Sequence, residues 1–297
     1  MPCSKGSQEK MNNKSIKKNR ITAVEDNSES NVIELIHCEL LKIAKEFHLF
    51  CQENNLTYYI IGGTFLGAVR HGGFIPWDDD MDIAMPRRDF EKFLSIYPQE
   101  KYKIASYRTK DNYKYYFPQL YNERYIVKEK NGNVAKLYID IFPIDGMPNN
   151  KVIRSFHIGR ILYHRMKLSF YYHDTIDMNK KRKMYEKILI TLAKSIPFEN
   201  LIDQIKEKET IDRLLRKNDM YDSRLAGTIM GAYRVKEIVE TRMFGSPKLY
   251  EFEDTQLYGP ECADEYLTHM YGDYMKLPEE KDRRSHFDEL IDCSHVK

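Results

Sequence analysis

Val32, Leu35, Ile36, Leu40, Ile43, Ala44, Phe47 and Phe50 recur every three or four positions and predict an amphipathic helix ending at Asn54 and Asn55, with Ser30 or Asn31 as its cap. The period then changes. Tyr58–Ile61 is a short β-rich run that stops at Gly62 and Gly63, and Thr64–Arg70 reads as a short helix closed by the turn His71–Gly72–Gly73. Asp80–Met85 alternates polar and apolar residues as a half-buried strand does, and Pro86 ends it. Arg87–Tyr97 is helical, with Phe90, Phe93 and Leu94 inward. Strands are expected over Lys101–Tyr107 and Tyr115–Glu129, a hairpin turn at Asn131–Gly132, and a further strand over Leu137–Phe142 closed by Pro143.

From about Pro148 the composition shifts. Val152 to about Leu192 reads as a helical, basic and aromatic stretch, Phe198–Asn218 as another helix, and the rest as short elements ending in an acidic helix. The whole is an α+β arrangement: a mixed sheet flanked by helices, with a mainly helical C-terminal portion. Residues 1–30, rich in Lys, Asn, Ser and Glu, are expected to form a disordered tail. No internal repeat interrupts this order.

Composition adds limits. Of 297 residues, 42% are apolar and 31% charged, which suits a solvated domain with a real core. The net charge is +2, so no overall field selects a polyanion. The five cysteines include no closely spaced pair, which argues against a zinc ribbon or a disulfide scaffold and fits a reducing cytoplasm. Nothing reaches the roughly 18–20 apolar residues of a membrane span.

Two features suggest chemistry. Gly62, Gly63 and Thr64 follow a strand and open a helix, so backbone N–H groups can face an anion, and glycine lets a phosphate approach closely. A plain strand-to-helix turn accounts for the same residues, and no Gly-Lys-Ser/Thr follows to make a Walker loop. Asp78, Asp79, Asp80 and Asp82 then crowd four carboxylates into five positions. In a strand Asp80 and Asp82 share one face while Met81 and Ile83 take the other. Such a pair suits Mg²⁺ or Mn²⁺; an exposed acidic loop or a calcium site is the competing reading.

Asp140 is a third carboxylate, set in the otherwise apolar run Tyr138–Phe142, where a lone charge is costly unless paired or metal-bound. Asp145 is expected in a turn, as a cap. Arg70 and His71 are candidate phosphate contacts, with surface placement equally open. Trp77 is expected to pack beneath the carboxylates rather than to stack on a base. The segment 151–183, rich in Lys, Arg and His with interleaved tyrosines, suits either an anionic surface or a solvated helix face with its aromatics in the core; the second is favoured. No nucleic-acid motif accompanies it.

The run Tyr59–Ile83, containing GGTFLGAVRHGGFIPWDDDMDI, closely resembles the signature of the LicD family, which includes bacterial phosphocholine transferases and relatives of the fukutin proteins. Tyr138–Pro143 resembles that family's second acidic strand, and Tyr271–Pro278 its C-terminal motif. The resemblance implies a nucleotidyltransferase-like catalytic core over 31–148, with 149–297 completing the substrate site. It implies Gly62, Gly63 and Thr64, with Arg70 and His71, on nucleotide or phosphate, and Asp80, Asp82 and Asp140 as catalytic residues and ligands of Mg²⁺ or Mn²⁺. It further implies transfer of a phospho-alcohol, first of all phosphocholine from CDP-choline, to a sugar hydroxyl of a cell-surface glycan or teichoic-acid precursor, with release of CMP. The expected partners are a CDP-alcohol and a glycan acceptor, lipid-linked acceptors included, with no nucleic acid. The expected location is the cytoplasm, with peripheral contact at the inner membrane face. Two rivals stand beside this reading: a nucleotidyltransferase that releases pyrophosphate, and a non-catalytic membrane-associated binding protein.

Overall fold

A computed structural model describes residues 29–110, 113–129, 134–172, 198–283, 285 and 287–293. Residues 1–28 of the expected tail, the Asn131–Gly132 turn and the expected helix beyond Tyr172 lie outside the described residues; Glu29, Ser30 and Asn31 already belong to the first helix, so neither Ser30 nor Asn31 caps it.

The leading periodic segment is helix α1 (Glu29–Glu53), whose Ile36, Leu40, Ile43 and Phe47 are fully buried against the sheet. The sheet follows from the short β-rich runs: β1 (Tyr59–Ile60), β2 (Asp82–Pro86), β3 (Lys103–Ala105), β4 (Gln119–Glu129) and β5 (Val134–Gly146). Its spine runs β1-β2-β5-β4-β10, where β10 is Phe287–Asp292. Short strands β6 (Leu225–Gly227) and β7 (Ile238–Glu240) extend it from the far end of β5. β2 and β5 run parallel; the other pairs are antiparallel. The mixed sheet with flanking helices is the α+β class expected.

Helices α2 (Gly62–His71) and α3 (Arg87–Ile96) flank β2. Gly72 stops α2 in the left-handed conformation, φ +71°, with its N–H returned to the last turn. α4 (Lys151–Tyr171) starts at Asn150, whose side chain accepts from the Val152 and Ile153 amides. α5 (Phe198–Leu201) and α6 (Gln204–Leu215) follow, then a hairpin of β8 (Lys248–Phe252) and β9 (Thr255–Gly259), and α7 (Ala263–Tyr271). No helix among the described residues is long and apolar enough to cross a membrane.

The fold departs from the sequence reading at several places. β2 starts at Asp82 and takes in Pro86, so Asp80, expected to share the strand face of Asp82, lies outside the strand. The helix expected over Phe198–Asn218 is broken, because Asp203 leaves helical geometry to cap α6 through the Ile205 and Lys206 amides. β5 does not stop at Pro143: it continues to Gly146, held in parallel register with Met85 and Pro86. The acidic C-terminal segment ends as strand β10 rather than as a helix. Pairing along β4, burial of Phe287 and an ion pair from Asp292 to Arg124 at 2.5 Å override its local preference. Asp145 is not a turn cap but a buried residue of β5, 1% exposed, chelated by Arg87 from α3. Its partner lies 58 residues away, so local spacing gave no hint of it.

Candidate active site

The site forms where β1 hands over to α2. Ile61 donates to the Asp82 carbonyl at 3.1 Å, which seats the strand end beside β2. Gly62 then turns the chain with φ +58° and opens α2. The first-turn amides of a helix have no intrahelical acceptor, so this end is electropositive. A carboxylate faces each glycine. A Cβ built on Gly62 would lie 2.6 Å from Asp82 Oδ2, and one on Gly63 would collide with Asp78 Oδ2. At Gly62 the left-handed backbone adds a second reason for glycine. Thr64, 4% exposed, accepts through Oγ1 from the Asp82 amide at 2.9 Å and so fixes the start of β2.

Asp82 and Asp140 are register partners in the parallel pair β2–β5, and the Asp140 amide donates to the Met81 carbonyl at 2.9 Å. Adjacent parallel strands sit about 4.8 Å apart, and paired residues point the same way. The two carboxylates are therefore neighbours on one face. Gln119, the antiparallel partner of Asp140 on β4, donates from Nε2 to Asp140 Oδ1 at 2.9 Å.

The electrostatics show the crowding. Burial, then the charges of Asp80, Asp140, Asp78 and Glu237, hold Asp82 well above the usual carboxylate range. Burial pushes Asp140 up to about 8, opposed by the Gln119 hydrogen bond and aided by Asp80. Carboxylates so placed need protons or a cation. Among the described residues, no three His, Cys, Asp or Glu side chains already close around a single point. The donor set still fits Mg²⁺ or Mn²⁺, which take one or two protein carboxylates and complete their shell with water and phosphate oxygens. Asp82 and Asp140 could hold such an ion, with Asp80 adding charge from just outside the strand.

The remaining acidic residues divide. Asp79 is 1% exposed, and its Oδ2 accepts from the Phe287 amide at 2.7 Å, tying the start of β10 to this loop. Asp78 presents its carbonyl to His37 Nε2 at 2.6 Å, and the His37 ring stacks on Phe74 at 4.1 Å. Arg70 and His71 sit at the other end of α2, roughly 13 Å along the axis from Gly62. Arg70 donates to the Tyr274 carbonyl at 2.8 Å, and His71 is exposed. Trp77 packs partly against the core, with the Arg283 guanidinium 4.6 Å above its ring.

Several residues near the carboxylates gave no sequence signal. Glu237 adds its charge to Asp82 and is held by the Thr228 hydroxyl and by the Tyr233 amide at 2.6 Å. Tyr233 and Tyr271 meet edge to face at 6.0 Å, and both sense the Asp78 and Asp82 charges. Tyr271 begins the C-terminal motif singled out above; Gln119, Glu237 and Tyr233 belong to no recognisable pattern. A separate cleft lined by Arg108, Arg213, Arg216 and Lys217 does not touch these carboxylates, and Arg108 and Arg216 are already paired with Asp212 and Glu91.

Residues 55–186 match the family model described as the LicD/FKTN/FKRP nucleotidyltransferase domain. The chain is also 28% identical over 252 residues to the lipopolysaccharide cholinephosphotransferase LicD of Haemophilus influenzae, across 83% of this chain and 92% of that protein. Over that segment the chain is similar to the LicD family. An uncharacterized Rickettsia typhi protein, RT0683, is 37% identical over 129 residues, 41% of this chain and 40% of its own. A second, RP689 of Rickettsia prowazekii, is 45% identical over 60 residues, 20% of this chain and 23% of its own. The LicD-family match spans the diglycine turn, both acidic strands and α4, so it runs past residue 148.

Proposed function

We propose that this protein is a metal-dependent phospho-alcohol transferase that moves phosphocholine from CDP-choline to a sugar hydroxyl of a lipopolysaccharide-type glycan and releases CMP. One observation supports this most: Asp82 and Asp140 stand side by side in parallel register, with Asp82 Oδ2 against the glycine that opens α2. Carboxylates on two neighbouring strands beside a helix N-terminus match what a diphosphate and its counter-ion need. The named activity of the Haemophilus relative supplies the transferred group.

In this reading the opening amides of α2 donate to phosphate oxygens. Asp82 and Asp140, with Asp80 beside them, would hold Mg²⁺, which would supply positive charge against the diphosphate. Asp140, oriented by Gln119, takes the proton of the acceptor hydroxyl. The hydroxyl oxygen bonds to the choline-bearing phosphorus, and the bond from that phosphorus to CMP breaks. Tyr233, Tyr271 and Glu237 close one side, so the region beyond residue 148 completes the site. Positioning and electrostatics provide most of the acceleration.

Purified protein given CDP-choline and a lipopolysaccharide acceptor is expected to release CMP, and EDTA is expected to stop it. Pyrophosphate release from CTP, with no CMP from any CDP-alcohol, would replace this reading with nucleotidyl transfer. Gly62→Ala tests the close approach. It should lower stability by about 1 kcal/mol, through the left-handed backbone, and turnover by about 100-fold through displacement of Asp82. Unchanged turnover in a folded Gly62→Ala protein would remove the glycine from the site.

A further inference from the structure

Helix α4 bears apolar residues on two opposite faces. The inner face is fixed. Ile161 and Leu168 are buried with Ile211, Leu214 and Leu215 of α6. Arg165 donates to the Ile229 and Gly231 carbonyls at 2.7 and 2.9 Å, and His164 and Lys167 both pair with Glu207. These contacts prevent the helix from rotating.

The outer face is open. Phe156 is 73% exposed, Val152 63%, Ile153 60%, Tyr163 54% and Met166 46%. At about 100° per residue, Val152, Phe156, Tyr163 and Met166 fall within a quarter of the helix circumference. Gly159 lies in the same stripe and has open space at its Cβ position. The sequence reading placed the aromatics of this segment in the core; the structure turns Phe156 and Tyr163 outward. The helix carries five basic residues and no acidic one; Lys151 and Arg160 are exposed, whereas Arg154 and Arg165 bond to backbone carbonyls and Lys167 pairs with Glu207.

We propose that this outer face of α4 docks the protein on an anionic lipid bilayer. An interfacial helix needs an apolar stripe that enters the headgroup boundary and flanking cations that meet anionic lipid, and α4 supplies both. A second copy of the chain is a poorer occupant, because a two-fold contact through this face would bring the exposed Lys151 and Arg160 of both copies together with no acidic residue of the helix to pair them. The placement also serves access to an acceptor. Arg165 ties α4 to the carbonyls of residues 229 and 231, whose loop leads to Tyr233 and Glu237 beside Asp82. A docked α4 therefore holds the carboxylate site at a fixed distance from the surface where a lipid-linked glycan resides. The docking rests on its own geometry and stands whether or not the proposed transfer is correct.

The test is sedimentation of the full chain with vesicles, using phosphatidylcholine alone and phosphatidylcholine with about 30% phosphatidylglycerol. The anionic vesicles are expected to bind at least about tenfold more tightly, and high salt to weaken that binding. The double variant Phe156→Ser, Tyr163→Ser should lose about tenfold in binding with an unchanged melting temperature. Arg160→Glu should also bind more weakly. Three results would overturn the proposal: no binding to anionic vesicles, undiminished binding by the double variant, or a fall of more than about 5 °C in that variant's melting temperature. The last would mean that the chain itself buries this face.

Discussion

Asp82→Asn is expected to lose about 1000-fold or more in CMP release and yet to melt higher than the wild type in metal-free buffer. Both effects have one cause. Asp82 lies among Asp78, Asp80, Asp140 and Glu237, which disfavour its charge. Asparagine keeps the shape, removes the repulsion and cannot neutralise a cation. A gain of about 1 kcal/mol corresponds to roughly 2–4 °C in a domain of this size. Mg²⁺ should raise the melting temperature of the wild type and leave that of the variant nearly unchanged. The pH dependence has a definite sign. Asp140 titrates near 8 in the fold, against 3.8 for an ordinary aspartate, and Asp82 is raised as well. The folded protein thus holds protons that the unfolded chain has released. Metal-free stability falls as pH rises from about 4 to 8, and the fall is shallower in Asp82→Asn. Near-normal turnover by Asp82→Asn, or a lower melting temperature, would contradict the role given to this residue.

Arg87→Met is the second large effect, expected in stability. The Arg87 guanidinium grips Asp145 through two bonds, Nε to Oδ1 at 2.7 Å and Nη2 to Oδ2 at 2.5 Å. It also reaches Asp212 at 3.2 Å, and Tyr116 bonds to Asp212 at 2.8 Å. This network joins α3, β5 and α6, and Asp145 is only 1% exposed. Removing the arginine strands a buried carboxylate, which costs about 3–5 kcal/mol. The melting temperature should fall by roughly 10 °C. Adding Asp145→Leu should restore much of the loss, since an apolar pair is tolerated where a lone charge is not. A change below about 2 °C in a thermal melt of Arg87→Met would show that the network contributes little.

What the chain determined locally was legible in it. The period of three to four along α1 marks a buried helix face, and Ile36, Leu40, Ile43 and Phe47 occupy it. The alternation read over Asp80–Met85 places Met81 and Ile83 in the core and Asp82 toward the glycine turn, although Ala84 is buried as well. The charge inside the apolar run Tyr138–Phe142 marked Asp140 for the same cluster. Each of these signals lies within a few residues, where backbone geometry alone links position to face. The tertiary structure decided the rest, because it depends on partners far apart in the chain. Asp79 became a tie to Phe287, 208 residues away, while its neighbours stayed at the site. Gln119 met Asp140 only through strand pairing. The acidic end became β10 because β4 offered an edge. α4 has two apolar faces, and periodicity cannot say which will be covered; its packing on α6 chose one and left Phe156 and Tyr163 outside.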